Sequence, residues 1–104
     1  MIIQFNTDNN IAGSEKLNDY FSTTITDGLS RFSSQITRVE VHLTDENSNK
    51  EGQNDKRCML EARLEGMQPI AVSSNADTVE KAVKGALEKL KSSLDTVVGR
   101  LRNH

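Results

Sequence analysis

Tryptophan is absent from this chain, and tyrosine, cysteine and proline each occur once. A single cysteine, Cys58, excludes an internal disulfide and fits a reducing compartment. Aromatic residues make up 4% of the sequence, so the core must be aliphatic. No platform of exposed rings is available on which nucleic-acid bases could stack in series. Neither sign of charge dominates: 13 Lys and Arg face 15 Asp and Glu, a formal net charge of −2. That balance excludes a bulk polycation, and any contact with nucleic acid must come from a local patch. No run approaches the roughly 18 apolar residues of a membrane span. The N-terminus lacks a basic segment followed by a long apolar one, so no secretory leader is expected. These absences lead us to expect a soluble cytoplasmic protein that contacts no membrane.

Catalytic signatures are missing too. There is no G-x-G-x-x-G, phosphate-loop or G-x-S-x-G pattern. His42 and His104 have no Cys, Asp or second His at ligand spacing. Asp45, Glu46, Glu51 and Asp55 fall in a stretch without an apolar residue, where nothing would hold two carboxylates in register. Cys58 alternates inward and reads as a small buried hydrophobe. We therefore expect neither an enzyme nor a protein with a cofactor or a metal.

What is present is a clear change of period along the chain. Ile2 to Thr7 is a short strand with Ile3 and Phe5 on one face. Asp8, Asn9 and Asn10 make a turn, and Ser14 caps a first helix whose stripe is Leu17, Tyr20, Phe21, Ile25 and Leu29. That helix is expected to end between Gly28 and Ser33. From Ile36 the pattern alternates, placing Thr37, Val39, Val41 and Leu43 inward and Arg38, Glu40, His42 and Thr44 outward. Asp45 to Asp55 is an apolar-free loop, expected to be flexible. Lys56 to Leu64 alternates again, with Cys58, Leu60, Ala62 and Leu64 inside. Gly66 with Met67 and Gln68 turns the chain into Pro69 to Ser73, a strand whose leading proline suits a sheet edge.

The last segment is the longest. Val79, Ala82, Val83, Ala86, Leu87, Leu90, Leu94, Val97, Val98 and Leu101 recur at steps of three and four, giving a helix over Asp77 to Leu101 of about 37 Å. Asn75 or Asp77 is its expected cap. The order β-α-β-β-β-α predicts an α+β fold, with a four-stranded sheet and both helices packed on one face. At 104 residues the chain is expected to form a single domain over 1–104 with one modest core.

Cations ring the last helix: Lys81, Lys84, Lys89, Lys91, Arg100 and Arg102. Their bland reading is a solvated face whose cations offset the helix dipole. The functional reading is contact with phosphates, for which A-form RNA needs no base-specific aromatics. The uncovered sheet face (Arg38, Glu40, His42, Met59, Glu61, Arg63) or the Val97–Val98 end offers a different class of role, as a protein–protein module or a weak homodimer.

Three segments resemble the ribosome hibernation-promoting factor and ribosome-associated inhibitor family, also called sigma-54 modulation proteins. They are Arg38-Val39-Glu40-Val41-His42-Leu43, Asn75-Ala76-Asp77, and Ala82-Val83-Lys84-Gly85-Ala86-Leu87-Glu88-Lys89-Leu90, and the resemblance extends over the whole chain. It implies a fold like a double-stranded-RNA-binding domain with an added strand. It also implies a translation inhibitor bound to 16S rRNA of the small ribosomal subunit, near the channel used by mRNA and tRNA, with no DNA partner. Lys89 stands where the family has its lysine, and Arg100 and Arg102 match its basic tail. Ser92, Thr96 and Val98 stand where short members often carry Arg or Lys. The residues expected to carry rRNA contact are Lys81, Lys84, Lys89, Lys91, Arg100 and Arg102, with Arg38, Arg57 and Arg63 as secondary contacts.

Overall fold

In the computed structural model, which describes residues 1–7, 15–45 and 56–102, three strands follow one another and a fourth is split off by a helix. The elements are β1 (Ile2–Thr7), α1 (Glu15–Gly28), a 3-10 turn (Ser30–Phe32), β2 (Ile36–Asp45), β3 (Lys56–Leu64), β4 (Ile70–Ala76) and α2 (Val79–Arg102). Side chains at positions 7, 15 and 100–102 are not described. The expected turn at Asp8 to Asn10, the Ser14 cap, His104 and the expected Asp45–Asp55 loop beyond Asp45 all lie outside the described residues; Asp45 itself ends β2 and pairs with Lys56 at 3.1 Å.

The sheet order is β1-β2-β3-β4. Because α1 carries the chain back across the sheet, β1 joins β2 in parallel, with Ile2 opposite Arg38 and Phe5 opposite Val41. β2, β3 and β4 form antiparallel neighbours. The β3–β4 turn depends on Gly66, whose φ of 73° is left-handed and favours a residue without a Cβ.

Both helices cover one face and close a single core. Val39, Val41, Leu43, Cys58, Leu60 and Ala62 from the sheet meet Phe21, Ile25 and Leu29 from α1 and Ala82, Val83, Ala86, Leu90 and Leu94 from α2. Ile3, Phe5, Ile70 and Val72 pack half-buried at its margins. The helices approach closely where α1 ends: a Cβ on Gly28 would lie 2.8 Å from a Leu87 methyl. Only glycine permits that contact without displacing Leu87.

Four sequence expectations are corrected. Thr37 is exposed, and Ile36 is buried in its place, because β2 carries a bulge between Ile36 and Arg38. The extra residue breaks strict alternation, and the Thr37 hydroxyl donates to the Arg63 carbonyl at 3.1 Å. Tyr20 leaves the buried stripe and is 48% exposed; the 3-10 turn supplies Phe32 to the core instead. The cap of α2 is Thr78 rather than Asn75 or Asp77: its hydroxyl accepts the Lys81 backbone N–H at 3.1 Å. Finally β4 runs on to Ala76, so Asn75 is a strand residue opposite Arg57.

Candidate nucleic-acid interface

The four expected lysines of α2 lie at the surface, yet three of them pair with carboxylates. Spacing of four puts Lys81 beside Asp77 at 3.3 Å and Lys84 beside Glu80 at 3.0 Å. Lys91 pairs with Glu88 at 3.4 Å. The Glu80 carboxylate raises the Lys84 ammonium above its ordinary pKa. Glu80 is in turn lowered, first by Lys84 and then by the Tyr20 hydroxyl, which donates to it from α1 at 3.1 Å. A phosphate arriving at these lysines must compete with an adjacent carboxylate.

Lys89 differs. It lies on the flank of α2 that overhangs β4, and its ammonium donates to the Ser73 carbonyl at 2.7 Å. Among the described residues no carboxylate pairs with it. A backbone carbonyl is a dipole and leaves the cation's full charge available to a polyanion. Arg100 and Arg102 lie in the last turns of the helix, where their side chains are among those not described.

The three secondary candidates are on the far side of the sheet. Cross-strand register arranges this uncovered face in rows. Ile2, Arg38 and Arg63 form the first, and Gln4, Glu40, Glu61 and Ala71 the second. Asn6, His42, Met59 and Ser73 make the third, and Thr44, Arg57 and Asn75 the fourth. Glu40 accepts from Arg38 at 3.3 Å and from Arg63 at 3.1 Å, while Arg63 also reaches Glu61 at 3.2 Å. The Arg63 bond holds the Glu40 carboxyl below its usual range against the opposing effect of desolvation, with Glu61 and Arg38 contributing. A shallow recess of about 130 Å³ opens between His42, Thr44, Arg57 and Met59.

The nine expected residues are therefore not one patch. Lys81, Lys84, Lys89 and Lys91 project from α2, whereas Arg38, Arg57 and Arg63 belong to the sheet surface facing away from both helices. Sequence reading also missed Arg31. It lies over the Phe32 ring, 4.7 Å from its centroid, and pairs with Asp95 of α2. The only signal for it was the helix-ending Gly28 just upstream. The pairing of Lys81 and Lys84 was in plain view, since their carboxylates stand four positions earlier.

Comparison with known proteins gives a family. The family described as Sigma 54 modulation protein / S30EA ribosomal protein matches residues 3–102. Among solved structures, the Protein Y N-terminal domain of Thermus thermophilus aligns with a TM-score of 0.73 at 18% identity, covering 93% of this chain and 99% of that one. A ribosomal subunit interface protein from Coxiella burnetii aligns with a TM-score of 0.72 at 18% identity, covering 95% and 99%. At that identity the two structures speak for the fold. Among curated proteins no sequence matches.

Proposed function

This chain belongs to the Sigma 54 modulation protein / S30EA ribosomal protein family, and from that premise we propose that it is a non-enzymatic, ribosome-associated translation inhibitor. It acts in the cytoplasm by binding 16S rRNA of the small subunit near the mRNA and tRNA channel. The observation that carries this reading is the family match across residues 3–102, together with a fold that places a lysine-bearing helix on one side and an arginine-bearing sheet on the other. One solved neighbour is described as a ribosomal subunit interface protein, which supports the same class of partner.

Charge bookkeeping shapes the mechanism. Bridged lysines on α2 exchange a carboxylate for a phosphate, with little net gain per site. Lys89 contributes its charge without that exchange. Binding should then be salt-sensitive with a shallow slope, because few counterions are released in net terms. The chain occupies its site through shape and backbone contact, as A-form RNA requires, and blocks the channel by bulk.

Sucrose-gradient co-sedimentation with small subunits tests this. The protein is expected in ribosomal fractions at low salt, and Lys89→Ala combined with Arg100→Ala is expected to weaken that association. Absence of the wild-type protein from those fractions at low salt would sink the proposal. A salt-insensitive dimer on a sizing column, without co-sedimentation, would point instead to a protein–protein module using the sheet face.

A further inference from the structure

We propose that the recess bounded by His42, Thr44, Arg57 and Met59 on the uncovered sheet face holds one pyrimidine base of a single-stranded RNA segment, with the adjoining phosphate on Arg57. This inference rests on the ribosome-associated reading above and adds a second kind of RNA contact to it.

The recess lies on the sheet face turned away from α1 and α2, at the junction of two cross-strand rows. His42 and Met59 stand directly opposite one another on β2 and β3. A flat imidazole beside a polarizable thioether makes a floor on which an aromatic ring can lie. Thr44 and Arg57 form the next row, opposite each other and followed by Asn75 on β4. Asn6 and Ser73 extend the His42 row on either side. A mostly apolar recess thus has the Thr44 hydroxyl and the Arg57 guanidinium on its border, with Asn6, Ser73 and Asn75 continuing the same rows on neighbouring strands.

Charge selects the occupant. No carboxylate among the described residues lines the recess. Among the described residues, the acidic row next to it on this face, Glu40 and Glu61, is engaged by Arg38 and Arg63. Arg57 already has a contact of its own, but a guanidinium carries five N–H donors in a fork that fits a phosphate. Size narrows the choice further. The recess measures about 130 Å³ and is open to solvent; an enclosed cavity of about 150 Å³ accommodates a benzene ring, so the recess matches one six-membered ring better than a larger ring system. Duplex RNA cannot present a base to a flat sheet; an unpaired nucleotide can.

The test is an NMR titration of the full chain with hexauridylate at about 50 mM salt, where phosphate contacts are strong. Saturable shifts are expected at the His42 ring and the Met59 methyl. His42→Ala should weaken the affinity roughly tenfold, as loss of one stacked base does, while His42→Phe should retain it. Arg57→Ala should also weaken binding and reduce the salt slope by about one. Absence of shifts at His42 and Met59, or the same shifts with inorganic phosphate alone, overturns the proposal, as does an unchanged affinity in His42→Ala. Co-sedimentation of the wild type, run in parallel, separates the two readings. Association with small subunits but no hexauridylate response discards the recess alone. A hexauridylate response without association discards the ribosomal reading alone.

Discussion

Two glycines of α2 show how much a single side chain depends on its surroundings. A Cβ at Gly85 would lie 3.1 Å from the Ser74 Cβ and closer still to its hydroxyl, so the hydroxyl must swing away and the Ser74 Cβ must give to admit it. A Cβ at Gly99 would meet nothing within 4 Å. Gly99→Ala is expected to stabilise the protein by up to about 1 kcal/mol through helix propensity. Gly85→Ala is expected to destabilise it by about 1–3 kcal/mol through overpacking. Thermal melts of the two variants, moving in opposite directions, check both. Cys58 presents a related contrast, being fully enclosed in the core. Burial pushes its thiol up to about 12 from the ordinary 9.0, so little thiolate forms near neutrality. A thiol reagent at pH 8 should label it only once denaturant opens the core; fast labelling of the native protein would contradict the buried position.

At the level of elements, α2 is held at its start by one hydroxyl. Thr78→Ala should cost about 0.5–2 kcal/mol and Thr78→Asp far less, since aspartate also caps; urea denaturation of the pair measures this. The stripe from Val79 to Val98 and the alternation in β3 were legible because each element buries a single face, which writes its period into the sequence. Thr37 was not, because a bulge inserts one residue without altering composition, and threonine suits either face of a strand. Tyr20 was misplaced for another reason: its ring matches the apolar stripe, but its hydroxyl finds Glu80 at the surface. Of the candidate interface, the α2 cations could be named in advance, and so could the carboxylates that pair with them. The Lys89 contact with Ser73 joins residues 16 positions apart and depends on how α2 crosses β4, which no local pattern records.

For the whole molecule, paired charges set the pH range of stability. Glu40 and Glu80 are lowered from the ordinary 4.5, so their contribution is present above that value and is lost as pH falls below it. Lys84 is raised from 10.5, so its contribution is full below that value and is lost as pH climbs past it. Cys58 acts earlier: the unfolded thiol ionises from 9.0 while the buried one does not until about 12, and stability falls over that interval. A plateau between about pH 5 and pH 9, with a decline on both sides, is expected in pH-dependent melts. The parallel pairing of β1 with β2 has a kinetic consequence. Ile2 meets Arg38, whereas β2, β3 and β4 meet through adjacent antiparallel pairings. Loop closure favours the short connections, so β1, whose pairing spans the longer connection, should dock last. Pulse-labelled hydrogen exchange during refolding is expected to protect the β2–β3 amides before those of Ile3 to Asn6; simultaneous protection would show that β1 joins the folding nucleus.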